Sequence, residues 1–228
     1  MAEGGTGEGR TGEGRMRLTV LGGYLGSGKT TWLRHQLHAG ALGCVHVVVN
    51  EAAETPVDHA LLGAAGRPTL LAGGCCCCDG REALLAALRA LADRRSRGER
   101  LDRIVLETSG LADPGAILAA IGADPVLVHH VLVEEVVVMA DALHALAQLR
   151  TEPLGRRQVA VADRLIVTKA DAARPEALAR LIATLRLLNP GAAVAGAVRG
   201  QEVVLADGSG AGAGMEPEAE PEALPDLE

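Results

Sequence analysis

Phenylalanine is absent from this chain, and tryptophan and tyrosine occur once each. A core of large rings is therefore excluded. The 48% of apolar residues must pack as Val, Leu, Ile and Ala, which suits a parallel sheet sandwiched between Ala/Leu-rich helices. A basic stripe is lacking too. The formal net charge is −7, and much of it sits at Glu216, Glu218, Glu220, Glu222, Asp226 and Glu228. That balance disfavours direct binding to DNA or RNA, so no nucleic-acid partner is expected. No apolar run is long enough to span a bilayer. The longest, Val126 to Ala140, is interrupted by His129, His130, Glu134 and Glu135. The N-terminus has no apolar core of the kind a secretory signal needs. These absences predict a cytoplasmic protein with reduced thiols and no membrane partner.

The cysteines are few but unevenly placed. Of five, four are contiguous (Cys75, Cys76, Cys77 and Cys78), and Cys44 stands alone. Neighbouring cysteines rarely meet the geometry of a mutual disulfide, so in a reducing compartment the cluster points to metal or redox chemistry.

The chain reads as one domain with polar ends. Residues 1–15, which repeat TGEGR at 6–10 and 11–15, are expected to be a disordered leader. Residues 16–206 form the expected globular unit, and 207–228 an acidic, disordered tail. Apolar runs at 17–21, 45–49, 104–108, 131–139, 165–168 and 194–198 predict strands. A helix is expected from Gly28 to Gly40, with Trp32, Leu33 and Leu37 on one face. Another is expected over 82–97, with Leu84, Leu85, Leu88 and Leu91 inside, and a third after Pro175, with Leu178, Leu181, Ile182 and Leu185 in phase. Residues 50–80 read as a long functional loop with one short helix near 59–62. Continuous apolar strands alternating with helices predict an α/β fold with a doubly wound, mostly parallel sheet.

Gly23-Tyr-Leu-Gly26-Ser27-Gly28-Lys29-Thr30 matches the P-loop pattern, and it sits between a predicted strand and a predicted helix. Its glycines let the backbone wrap a phosphate closely. The helix N-terminus adds positive potential, and Lys29 supplies a point charge for the β- and γ-phosphates. The Thr30 hydroxyl is a candidate ligand of a Mg²⁺ bridging those phosphates, and Thr31 extends the binding loop. Thr168-Lys169-Ala170-Asp171 follows a predicted strand in the place where a base is read. Asp171 can accept from N1–H and the 2-amino group of guanine, and the Lys169 stem can lie over the base. GTP is therefore favoured over ATP.

Three further segments carry a family resemblance. Asn50-Glu51-Ala-Ala-Glu54-Thr-Pro-Val-Asp58 resembles the first switch of CobW-like GTP-binding metal chaperones. Gly74-Cys75-Cys76-Cys77-Cys78 resembles their C-x-C-C hallmark, and Glu107-Thr-Ser-Gly110-Leu-Ala-Asp113-Pro114 their segment after the third strand. The likeness covers about residues 17–200, and relatives include the nickel-insertion GTPases of urease and hydrogenase maturation. It implies a GTPase with a slow intrinsic rate that carries Zn²⁺ or Co²⁺ to a metal-requiring client protein, and it admits a nucleotide- or metal-dependent homodimer. By the same resemblance Cys75, Cys77 and Cys78 hold the transition metal. Three thiolates suit such an ion and leave one tetrahedral position open. Glu51 and Asp58 would lie near Mg²⁺ and the attacking water, and Glu107 would hold a Mg²⁺ water. Departures are Thr168 for the usual Asn, Ala52 and Ala53 for Phe and Gly, and Pro56 for Gly. Two other readings stand beside it: a GTP-regulated adaptor that delivers no metal, and a small-molecule kinase. The kinase would need a lid of arginines, for which Arg94, Arg95, Arg97, Arg100 and Arg103 are the available candidates.

Overall fold

Strands with no polar face must be covered on both sides, and the chain meets that demand with helices. The structure is a computed structural model and describes residues 14–50, 69–70 and 78–205. In chain order its elements are β1 (Met16–Gly23), α1 (Lys29–His38), β2 (His46–Asn50), β3 (Thr69–Leu70), α2 (Cys78–Ser96), β4 (Arg103–Thr108), α3 (Pro114–Ala123) and α4 (Leu127–His130). There follow β5 (Val131–Asp141), α5 (Ala145–Thr151), α6 (Pro153–Ala160), β6 (Arg164–Thr168), α7 (Pro175–Leu188), β7 (Ala193–Val198) and β8 (Gln201–Val203). The sheet order is β3-β2-β4-β1-β5-β6-β7-β8. All pairings are parallel except β7 with β8. This is the doubly wound α/β sheet expected from the sequence, with β1 and its loop at the centre.

The two faces are packed unequally. On one, Leu84, Leu88 and Leu91 of α2, Ile117 and Ile121 of α3, and Leu181 and Leu185 of α7 pack on Leu18, Val20, Leu106 and Val138. On the other, α1 supplies Trp32 and Leu33 against Leu21, Val47, Val49, Val105 and Ile166. Successive strand residues alternate between these clusters, as the two-residue period of a strand requires. With no phenylalanine available, each layer is a mesh of branched aliphatic chains.

The six predicted strands and three predicted helices are present within a few residues of their expected ends. The second helix starts earlier, at Cys78. Within the stretch read as loop, Thr69–Leu70 adds a short strand beside β2. The proposed helix near 59–62 lies outside the described residues. Helices α3 to α6 and strand β8 were not anticipated. For α3 the reason is composition: Pro-Gly-Ala-Ile-Leu-Ala-Ala-Ile-Gly-Ala has no polar face to reveal a period. Its start signals were nevertheless present, since Asp113 accepts from the Gly115 N–H at 3.0 Å and Pro114 occupies the first turn. His129 and His130, which interrupt the apolar run of 126–140, form the end of the single-turn helix α4, just before β5.

The arginines of 94–103 lie at the opposite edge of the sheet from the P-loop. Arg95 donates to the Gly14 carbonyl beside the start of β1. Arg94 pairs with Glu99, Arg97 with Asp93, and Arg103 with Glu134. Arg94, Arg95, Arg97 and Arg103 are thus held in local contacts and form no lid over a phosphate site. Among the described residues no helix is long and apolar enough to cross a membrane. Because Leu88 is wholly buried between α2 and the sheet, Leu88→Ala should lower stability by about 2–5 kcal/mol. Urea unfolding should show the midpoint falling at an unchanged m-value.

Candidate nucleotide site

The C-terminal ends of β1, β4, β5 and β6 converge on the loop 23–28. β1 runs straight into it, and Leu21 of β1 is in register with Glu107 of β4. Gly23, Gly26 and Gly28 have φ of 128°, 72° and 88°. At Gly23 a side chain is excluded twice, by that φ and by the Met139 carbonyl oxygen, which would lie 2.6 Å from an added Cβ.

Loop carbonyls are held by side chains. Lys29 Nζ donates to the carbonyls of Gly23 (2.9 Å) and Tyr24 (3.0 Å). Lys169 Nζ donates to the Gly26 carbonyl at 3.0 Å, and Thr168 Oγ1 to the Ser27 carbonyl at 2.8 Å. Thr168, the departure from the usual Asn, therefore ties the end of β6 to the P-loop through its hydroxyl. The Thr168 methyl also lies against Gly28. Lys29 is 5% exposed and stands at the first turn of α1, as the P-loop pattern requires.

Thr30 Oγ1 donates to Glu107 Oε1, so the two residues expected to serve Mg²⁺ face one another. A hydroxyl and a buried carboxylate are hard oxygen donors, the set that suits Mg²⁺. The segment after β4 presses on the P-loop. An added Cβ at Gly110 would come 2.3 Å from the Leu25 nitrogen and 2.7 Å from its Cα. Gln158, buried on α6, clamps this segment by donating to the Ala112 carbonyl at 2.8 Å. The ring of Tyr24 lies on Gly155 of the same helix.

In the segment after β6, expected to read the base, Lys169 adopts φ 55° and Asp171 is exposed on a 3-10 turn over Ala170–Ala172. Thr31 is exposed, and its carbonyl abuts Gly200 of the β7–β8 turn. Asp141, which sequence reasoning passed over, ends β5 and is 5% exposed. It pairs with Lys169 at 2.7 Å and with His144 at 2.9 Å, and accepts from the Leu143 N–H at 2.8 Å. Burial alone would push its carboxyl up; the hydrogen bonds from Lys169, His144 and Leu143 outweigh that and hold it below its ordinary value. Its only sequence signal was an aspartate at the end of a strand, just before a turn.

Of the remaining candidates, Glu51, Asp58, Cys75 and Cys77 lie outside the described residues, as does Glu54. Cys78 is placed by its backbone as the first residue of α2. The last turn of α2 lies by Gly14 and the start of β1. A helix of 19 residues spans roughly 28 Å, so the end bearing Cys78 points toward the P-loop edge. Among the described residues no group of three metal-binding side chains is found.

A family model described as CobW/HypB/UreG, nucleotide-binding domain, matches residues 17–195. The zinc chaperone YjiA of Escherichia coli is 38% identical over 158 residues, covering 68% of this chain and 50% of the relative. The zinc chaperone CobW of Pseudomonas aeruginosa is 33% identical over 203 residues, covering 75% and 53%. The crystal structure of Zn(II)-bound YjiA GTPase from E. coli superposes with a TM-score of 0.60 at 29% identity, over 79% of this chain and 57% of that one. The chain thus spans about half the length of the relatives it matches.

Two outcomes follow from this geometry. Gly110→Ala forces two backbones apart, so it should cost about 1–3 kcal/mol and weaken nucleotide binding, read by thermal melts and calorimetry. The depressed carboxyl of Asp141 contributes stability that is present above its ordinary value of 3.8 and is lost as pH falls through the lower folded value. The melting temperature of Asp141→Asn should therefore fall less steeply than that of the wild type on acidification below that value.

Proposed function

Because the chain belongs to the CobW/HypB/UreG nucleotide-binding domain family, we propose that it binds and hydrolyses GTP and uses the cycle to load or release a transition metal for a client protein. Zinc is the favoured cargo, since relatives at 38% and 33% identity are named zinc chaperones; Co²⁺ is the second candidate. The observation that carries the reading is the convergence on one sheet edge of the Lys29 loop, the Thr30–Glu107 pair and the Thr168–Lys169 segment.

In this reading the loop from Gly23 to Thr31 holds the phosphates, and Lys29 neutralises charge that grows between the β- and γ-phosphates. Thr30 and Glu107 would hold Mg²⁺, which supplies further neutralisation at the same oxygens, with Glu51 as an additional ligand. Asp171 reads guanine and Lys169 walls the base. Glu51 and Asp58 orient the attacking water. Cys75, Cys77 and Cys78 bind the cargo ion as thiolates, Cys78 being the first residue of α2. In this scheme the two sites are coupled, and occupancy of either changes affinity at the other by the same factor. The protein works in the cytoplasm, and a nucleotide- or metal-dependent homodimer fits the same scheme.

Two measurements test this. Phosphate release from GTP should be slow but measurable, and Lys29→Ala should reduce it by roughly 10²-fold. Anaerobic titration with Co²⁺ should give thiolate charge-transfer bands that vanish in the triple Cys75→Ser, Cys77→Ser, Cys78→Ser variant. A non-hydrolysable GTP analogue bound with equal affinity with and without Zn²⁺ would remove the coupling, and phosphoryl transfer to a small molecule would replace the GTPase reading.

A further inference from the structure

Asp141 is a buried charge whose local backbone does not need one. The turn after β5 is closed by the Leu143 N–H donating to Asp141 Oδ1 at 2.8 Å. A neutral asparagine or serine oxygen serves that turn as well. Placing a full carboxylate at 5% exposure is costly unless a cation answers it. The other oxygen, Oδ2, is where the answer lies: it takes the Lys169 ammonium at 2.7 Å and His144 Nδ1 at 2.9 Å.

Register delivers this meeting. Asp141 of β5 is directly paired with Thr168 of β6, and the Ala142 N–H donates to the Thr168 carbonyl at 2.9 Å. The residue after Thr168 turns left-handed, at φ 55°. The Lys169 ammonium ends between two acceptors, the Asp141 carboxylate and the Gly26 carbonyl of the P-loop at 3.0 Å. Both ends of this side chain are therefore fixed, although 42% of it is open to solvent.

We propose that Asp141 is a positioning residue of the nucleotide site, holding the Lys169 ammonium against the P-loop so that the lysine stem is already set as a wall for the base. This rests on the guanine-nucleotide reading above. A charged acceptor holds an ammonium more strongly than a carbonyl does. Without it, Lys169 keeps one neutral acceptor in competition with water, and its rotamer freedom returns. Nucleotide binding must then re-order a long side chain that the wild type holds in place. The effect falls on affinity and not on turnover, because the wall touches bound substrate and transition state alike.

A double-mutant cycle on the full chain, with GDP as the probe in isothermal titration calorimetry, decides it. D141N should bind GDP roughly tenfold more weakly than the wild type, while kcat for GTP stays within about twofold at saturation. K169M should also bind weakly, and D141N/K169M no more weakly than K169M alone. Thermal melts report the pair without nucleotide. K169M removes the ammonium and leaves the buried carboxylate with only His144 and the Leu143 N–H, so its Tm should drop, and adding D141N should recover part of the loss. Should D141N not fold, D141S, which still accepts from Leu143, replaces it in the cycle. Wild-type affinity in D141N overturns the proposal, and so does an equal loss in the K169M background, which would place the effect in the fold and not in the lysine. A wild type that binds no GDP would instead sink the nucleotide reading itself.

Discussion

Four carbonyls of the segment 23–27 accept from side chains: Gly23 and Tyr24 from Lys29, Gly26 from Lys169, and Ser27 from Thr168. A loop that must present positive potential to a phosphate cannot also offer it carbonyl oxygens. Tying those oxygens to cationic and hydroxyl donors settles the loop in a shape that serves an anion. The donors come from two directions, one from the helix the loop opens into and two from the end of β6. The loop is thus pinned to a strand more than 130 residues away in sequence.

That pinning gives the threonine at 168 a structural role. The position needs a donor to the Ser27 carbonyl and a small apolar surface against Gly28, and a threonine provides one with Oγ1 and the other with its methyl. It also makes Lys169 part of the phosphate loop's own support, and Asp141 stands behind that lysine. A residue at the end of β5, the strand beside β1, thereby belongs to the loop's electrostatics.

On the other flank, the segment after β4 has no room to move independently. Gly110 touches the backbone of Leu25, and Gln158 holds the Ala112 carbonyl that follows. A change in the loop is passed to residues 107–112 by contact and not through solvent. α2, which starts at Cys78, packs on the same side of the sheet through Leu84 and Leu88. One edge of the sheet gathers these parts, as expected where a parallel sheet's strand ends meet loops.

Much of this was legible in sequence because it is local. Gly23 to Thr30 is contiguous, so its glycines, lysine and threonine announce a phosphate cradle before any folding is known. Six strands are readable because burial on both faces leaves unbroken aliphatic runs. Helices α3 to α6 were hidden by uniform Ala/Leu/Gly composition or by shortness, since a helical period is visible only when polar and apolar residues alternate around it. Amino-acid order by itself determined the cradle, the aliphatic core and the parallel sheet, all of which follow from side-chain type at short spacing. Tertiary structure alone decided that Asp141 faces Lys169, that Thr168 caps Ser27 and that Gly110 lies on Leu25. Each is set by strand register between distant segments, and register has no signature in either segment taken alone.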